Sequence, residues 1–260
     1  VAQGASGLMS ITGPGKDDGP VKVGAPVTDI TAGILAAMGA AAAYAGKLAT
    51  GHGTRVDTSL FEAGITQTYW QSAIALATGV SPTALGSAHP LNAPYQAFPT
   101  ADGYINVGAA NQRNWLRLLQ VLEAEELNDD PRFASNADRM ANLDALVSEL
   151  EPRFRVRSSD DWLGKLDAMG VPAGPILSIG EMLGHPQATA REMVVEMEHA
   201  SCGAVRGLGM PVKFHGADQL NYRGAPLLGQ HSREILHDIG YTATEIATLH
   251  ETGVVFSSDP

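Results

Sequence analysis

A single carboxylate, Asp29, lies between a turn sequence and a long uncharged segment. The stretch Val23–Gly33 reads VGAPVTDITAG, and no charged residue occurs from Ile30 to Gly46. An aspartate at this point can cap a helix by accepting a backbone N–H of the first turn. In a small, dry space beside Ala and Gly, it can instead attack an acyl carbon and form a mixed anhydride. The residues of this stretch leave both roles open.

Other common catalytic motifs are absent from the sequence. The segment GPGKDD (13–18) lacks the first glycine and the Ser/Thr of a phosphate-binding P-loop. The segment GASG (4–7) is not the GxSxG elbow of an α/β-hydrolase. The eight histidines show neither HxxxH nor HExxH spacing, so the sequence predicts no metal site.

The composition is that of a soluble globular protein. Hydrophobic residues make up 44% and charged residues 17% of the 260 residues. A net charge of −11 argues against nucleic acid or an anionic membrane as the main partner. Because Cys202 is the only cysteine and no signal peptide is visible, we expect a reducing, cytoplasmic location. The uncharged run at 30–46 is short for a membrane span and contains three glycines, which favours a helix packed inside the protein.

The hydrophobic periodicity predicts an α/β protein with alternating elements. We expect Asp29 or Thr28 to cap a helix that ends before Gly51, and a Pro/Gly-rich loop at 79–103. Trp70, Trp115 and Trp162 fall at helical positions typical of core residues. The further predicted strands are 54–60, 104–109, 171–179 and a pair between 193 and 214, and the further helices are 61–78, 111–122, 140–154, 159–169, 179–183, 232–239 and 242–251.

Several longer motifs occur in order along nearly the whole chain. They are VAQGASGLMSITG, PVTDITAGILAA, TGHGTRVDTSLFEA, GSAHPLNAPYQAFPTADGYINVGAANQRNW, DPRFASNADRMAN, GVPAGPI, HPQATARE and APLLGQHSREIL. Together they resemble the family III CoA-transferases, the relatives of formyl-CoA transferase, carnitine CoA-transferase and the α-methylacyl-CoA racemases. Motifs in order at plausible spacing make this resemblance far more specific than any single one.

The resemblance implies a catalytic role for Asp29. In that family, the aspartate at this position takes the acyl group of an acyl-CoA as an aspartyl anhydride, which then becomes an aspartyl-CoA thioester. Coenzyme A therefore enters as part of a co-substrate, no metal is needed, and the partner substrate is a carboxylic acid. An α-methylacyl-CoA racemase with Asp29 as base, and a truncated family member without catalysis, remain alternatives.

The loop Gly86–Tyr95 occupies the place where formyl-CoA transferases carry a glycine-rich segment. Here the loop reads GSAHPLNAPY and has no run of glycines. His89, Asn92 and Tyr95 could line the acyl pocket, although a loop stiffened by its two prolines explains them almost as well. The departure argues against formate and oxalate as substrates, and we expect a C4–C5 dicarboxylate such as succinate.

The resemblance also implies a fold and an assembly. The expected fold is a Rossmann-like large domain, split in sequence into 1–80 and 190–260, with a smaller α/β domain inserted at about 85–185. Two subunits would interlock as a homodimer. Family members have a considerable N-terminal portion ahead of this point, which holds most contacts to the CoA adenine and phosphates, and we expect that portion to be absent from this chain.

Overall fold

The computed structural model describes residues 1–15, 17–216 and 222–257, and it shows a mixed helix-and-sheet protein. The chain forms two compact units, Val1–Ile176 and Leu177–Pro260. The first unit contains α1 (Ala2–Ala5), α2 (Val27–Thr50), α3 (Leu60–Gln67), α4 (Tyr69–Thr78), β1 (Tyr95–Pro99), β2 (Tyr104–Gly108), α5 (Gln112–Leu122), α6 (Asn136–Ala141), α7 (Leu143–Phe154), α8 (Ser159–Ala168) and β3 (Ala173–Pro175). The second contains α9 (Ile179–Gly184), α10 (Pro186–Ala190), β4 (Val194–His199), β5 (Gly203–Leu208), α11 (Ser232–Asp238) and α12 (Ala243–Glu251).

The hydrophobic core of the first unit lies between a three-stranded sheet and the helices that follow it. The strand order is β1-β2-β3, and both pairs are antiparallel. Phe98 of β1 and Ile105 of β2 face each other across the ladder, and both are fully buried. The same cluster includes Trp115, Leu118, Leu146, Leu150, Phe154, Trp162 and Leu166 from α5, α7 and α8. This part of the chain therefore covers its own apolar surface.

Helix α5 shows why the sequence places these side chains inward. The carbonyl oxygen of the Asn111 side chain accepts the backbone N–H of Asn114 at 2.8 Å, which caps the helix at its start. Trp115, Leu118 and Leu122 recur at helical spacing and are buried. The predicted helix at 111–122 is therefore confirmed, as is the α8 helix, which Ser158 caps.

Two predictions about helix α2 were wrong. It begins at Val27 after Pro26, so neither Asp29 nor Thr28 is its N-cap, although it ends as predicted at Gly51 in a left-handed conformation. It was expected to be packed inside the protein, yet of its 24 residues only Thr28 is buried. Its length and composition would allow it to cross a membrane, and a helix inside a larger soluble protein meets the same two criteria. In the described residues, α3 is the helix that packs most extensively against α2.

Three further expectations differ from the structure. The predicted strand at 54–60 does not form: residues 54–59 belong to no helix or strand, and Leu60 begins α3. The predicted helix at 61–78 is two helices, because the Thr68 hydroxyl bonds to the Ile65 carbonyl (2.8 Å) and to the Ser72 hydroxyl (2.6 Å) at the break. The expected loop at 79–103 contains strand β1. Strand pairing depends on a partner far along the chain, which local patterns do not show.

The second unit contains the predicted strand pair and tail helices. Strands β4 and β5 form an antiparallel hairpin in which Val194 pairs with Leu208 and His199 with Gly203. Helix α12 starts with a reciprocal capping box between Thr242 and Glu245. Both features confirm the sequence-based expectations for this region.

Candidate functional site

Asp29 is the third residue of α2, and its side chain is exposed. The Thr28 hydroxyl donates to Oδ2 of Asp29 at 3.1 Å, and no other hydrogen-bond partner of this carboxylate occurs in the described residues. No side chain caps α2, so the amide groups of its first turn have no side-chain acceptor. The partial positive charge at this helix end favours negative charge beside it. The carboxylate is therefore accessible and lies at a helix end that can stabilise an anion.

The segment that leads into α2 is held by Gln3, a residue twenty positions earlier. The backbone N–H of Val23 donates to Oε1 of Gln3 at 2.9 Å. Nε2 of Gln3 lies 3.4 Å from the Val23 carbonyl and 3.3 Å from that of Ala25. Sequence reasoning missed this role of Gln3, because a side-chain contact over such a separation leaves no local pattern. Gln3 fixes the approach of the chain to Pro26 and hence the start of the helix.

Helix α3 supports the first turn of α2 from another side. Gly64 of α3 is buried, and a Cβ added there would clash with Ser6 and lie 3.4 Å from Thr28. Nε2 of Gln67 donates to the Thr31 hydroxyl at 2.8 Å. The close approach at Gly64 brings Ser6 of the GASG segment beside Thr28, the neighbour of Asp29. Three separate segments therefore determine where Asp29 lies.

The structure brings together the three predicted loop residues. The backbone N–H of His89 donates to the Tyr95 carbonyl at 2.9 Å, and the two rings stack with centroids 5.1 Å apart. Nδ1 of His89 accepts the backbone N–H of Leu91 at 3.1 Å and lies 3.3 Å from Nδ2 of Asn92. A neutral His89 therefore carries its proton on Nε2, which remains available as a donor. The loop thus presents a histidine donor next to an aromatic ring.

Trp70 joins this cluster, which the sequence did not predict. It was expected in the core, but it is half exposed, and its ring lies 5.0 Å from that of His89. Trp115 and Trp162 are buried as expected. No hydrogen bond or ring contact within the described residues joins Asp29 to this loop, although both belong to the first unit. The same residues contain no group of three or more His, Cys, Asp or Glu arranged to hold a metal.

The sequence matches the family model for CoA-transferase family III over residues 1–232. The chain belongs to CoA-transferase family III. The matched residues include Asp29, the 89–95 loop and the three-stranded sheet β1-β2-β3.

Curated relatives and a solved structure place the chain within family III. It is 34% identical over 256 residues to succinyl-CoA:glutarate CoA-transferase of Homo sapiens, covering 98% of this chain and 58% of that protein. It is 36% identical over 234 residues to acetyl-CoA:oxalate CoA-transferase of Acetobacter aceti, covering 88% and 58%. A CAIB/BAIF family protein from Brucella suis matches with a TM-score of 0.76 and 35% identity over 92% of this chain and 61% of that one. The family III chain described here thus spans somewhat more than half the length of these relatives.

Proposed function

We propose that this family III protein transfers CoA from an acyl-CoA to a carboxylic acid and that Asp29 is the nucleophile. The observation that carries the proposal is the exposed Asp29 carboxylate on the first turn of a helix that no side chain caps. The amide groups of this turn can stabilise the negative charge that develops as an acyl carbonyl is attacked. Family membership supports the same chemistry.

The proposed reaction proceeds through two kinds of covalent intermediate on Asp29. One carboxylate oxygen attacks the acyl carbon of the donor, the C–S bond breaks, and CoA thiolate leaves with the electron pair. The thiolate then attacks the Asp29 carbonyl, which releases the donor acid and leaves an aspartyl-CoA thioester. The acceptor carboxylate attacks this thioester to form a second anhydride. The thiolate finally attacks the acceptor acyl carbon, so the new acyl-CoA leaves and Asp29 is regenerated.

The acyl groups that we propose are C4–C5 dicarboxylates. The names of the relatives support this class, because several of them combine succinyl-CoA or succinate with a second dicarboxylic acid such as glutarate or mesaconate. The absence of a glycine run in the Gly86–Tyr95 loop argued against oxalate, but a relative at 36% identity is named for oxalate. Oxalate therefore belongs among the acceptors to be tested. We propose that His89, Asn92 and Tyr95 line the acyl pocket.

The resemblance also supports a proposed assembly. We propose a large domain formed by about 1–80 and 190–260, a smaller inserted domain at about 85–185, and an interlocked homodimer in the cytoplasm. The proposed activity requires no metal, nucleic acid or membrane.

The experiment that tests the proposal is chemical trapping of the intermediate on Asp29. The full-length protein is incubated with succinyl-CoA and then treated with hydroxylamine or borohydride, and the Asp29 peptide is examined by mass spectrometry. We expect a mass change on this carboxyl group alone. Asp29→Asn should fold normally, because Asn is about as good a helix residue here, and should lose more than about a thousandfold of the transfer rate.

Three outcomes would contradict the assignment. Turnover retained by Asp29→Asn, with the correct protein mass, would show that Asp29 is not the nucleophile. Deuterium exchange at the α-carbon of an α-methylacyl-CoA, without any label on Asp29, would instead identify a racemase. If a well-folded protein catalyses neither reaction, it is a non-catalytic member of the family.

A further inference from the structure

The backbone of the 89–95 loop is held by a side chain that lies more than forty residues later in the sequence. Asn136, the first residue of α6, accepts the backbone N–H of Ala93 on Oδ1 at 3.1 Å. Its Nδ2 donates to the carbonyl of Leu91 at 2.9 Å. A single half-buried amide thus satisfies two backbone groups, one on each side of Asn92. The loop cannot shift at this point without breaking both bonds.

Arg139, one turn further along α6, holds the same loop from the inside. It is fully buried, and its Nε donates to the Ala93 carbonyl at 2.7 Å. Its Nη1 donates to the Phe133 carbonyl at 3.0 Å and to Oε1 of Gln112 at 3.1 Å, and its guanidinium lies 5.0 Å from the centre of the Trp115 ring. Together, Asn136 and Arg139 bind both backbone polar groups of Ala93.

The chemistry of Arg139 makes this contact costly to replace. Burial lowers the pKa of its guanidinium, while the nearby Asp138 carboxylate acts in the opposite direction. None of its hydrogen bonds in the described part of the chain goes to a carboxylate. Carbonyl oxygens and an aromatic face therefore compensate only part of the buried charge, since Nη2 has no hydrogen-bond partner among the described residues. Lysine, with one compact ammonium group, cannot make the three divergent bonds of the guanidinium.

We propose that Asn136 and Arg139 are positioning residues that fix the 89–95 loop and thereby set the choice of carboxylate acceptor. The contacts are made to Leu91 and Ala93, on either side of Asn92. Leu91 is two residues after His89, and Ala93 is two residues before Tyr95. They therefore determine where the Nε2–H of His89 and the ring of Tyr95 lie. This inference rests on the proposed CoA-transferase function, in which a donor such as Nε2–H discriminates acceptors by the placement of their polar groups.

The test measures the ratio of kcat/KM for two acceptors, glutarate and acetate, with succinyl-CoA as donor in the full-length protein. This ratio does not depend on the fraction of folded enzyme, because misfolding lowers both rates equally. We expect Asn136→Ala to change the ratio by about tenfold or more, since the loop loses two anchoring bonds. The matched control is Asn142→Ala, because Asn142 is also half buried and its Nδ2 also binds backbone carbonyls, those of Arg132 (3.3 Å) and Asp138 (2.9 Å). Its ratio should stay within about twofold of the wild type.

A second variant keeps the test decisive if Asn136→Ala does not fold. Asn136→Asp retains the acceptor for the Ala93 N–H but loses the donor to the Leu91 carbonyl, so it should show a smaller change in the same direction. A ratio equal to that of the wild type in the Asn136 variants that fold would overturn the proposal. An equal change in Asn142→Ala would also overturn it.

Trapping on Asp29 separates this proposal from the proposed function. Label on Asp29 in the wild type and in the Asn136 variants, together with an altered acceptor ratio, supports both. Label without a change in the ratio rejects only the positioning role. The absence of label in the wild-type protein would reject the nucleophile assignment on which this inference rests.

Discussion

The first unit contains one region that buries its apolar side chains and another that leaves them exposed. Between Ala93 and Val171, the antiparallel sheet and helices α5, α7 and α8 bury a continuous cluster that includes Phe98, Trp115 and Leu150. Helix α2 is also apolar, yet Ile34, Met38 and Leu48 are 63%, 63% and 71% exposed. The first region is complete in itself. The second presents an apolar surface that the described residues leave open.

The difference shows what an apolar sequence does and does not imply. Alternation in strands and the spacing of α5 place apolar groups on one face, and nearby elements of the same region cover that face. The Ala-rich α2 has the same tendency, but most of its large apolar side chains are exposed. Its close contacts include Thr28, which lies beside Gly64, and Gly39, which lies beside Val56. The proposed nucleophile therefore lies next to one of these contacts.

The largest expected effect separates the two regions by stability. Leu150→Ala should lower the free energy of unfolding of this chain by about 2–5 kcal/mol, because it leaves a cavity in a closed core. Leu48→Ala should change it by less than about 0.5 kcal/mol, because this side chain is largely exposed. Urea unfolding followed by circular dichroism measures both. A comparable loss in Leu48→Ala would show that α2 is covered in solution, for example by a second copy of the chain.

A smaller effect on transfer is expected from added bulk at Gly33, one turn after Asp29 in α2. Gly33 is exposed, and a Cβ added there would meet nothing within 4 Å, so Gly33→Leu should leave folding intact and improve helix propensity by about 0.5–1 kcal/mol. We expect it to reduce transfer by about tenfold or more, because it adds bulk one turn from Asp29, where the acyl group must approach. Ala45→Leu, at an exposed position far along the same helix, is the control. Equal losses of kcat/KM in both variants would mean that bulk near Asp29 has no special effect.

The smallest expected effect is a pH dependence in the closed region. The Asp102 carboxylate accepts the backbone N–H of Ser159 at 2.8 Å and the Ser159 hydroxyl at 3.0 Å, and these bonds, with one from Thr100, lower its pKa. Because the pKa is lower in the folded state, the stabilisation is fully present above about pH 3.8 and is lost as the pH falls below that value. In Asp102→Asn, the melting temperature should therefore fall less steeply than in the wild type as the pH is lowered below about 3.8. Thermal melting between pH 5 and pH 3 checks this, and identical curves for the wild type and the variant would show that the Asp102 hydrogen bonds do not stabilise the fold.

Local sequence patterns predicted many of the helices and strands between Ala93 and Val171, but few of the contacts between them. Helical spacing of apolar residues predicted α5 at 111–122 and α8 at 159–169. The strand at 104–109 was predicted almost to its ends, whereas β1 was missed because prolines and glycines surround it. His89, Asn92 and Tyr95 contact one another in the structure, and their role in the acyl pocket stays a prediction. Trp70, which contacts it, was wrongly assigned to the core because helical spacing does not tell which face is covered.

The sequence by itself determined the family, the position of Asp29 at a helix start, and most of the helices that carry their own caps. These properties depend on residues that are close together in the chain, where a side chain and its backbone partner are three or four positions apart. Only the tertiary structure decided that Gln3 holds the entry to α2, that Gly64 admits Ser6 beside Thr28, and that Asn136 and Arg139 hold the 89–95 loop. Such contacts join segments tens of residues apart. They depend on how whole elements pack, which no local pattern of residue types records.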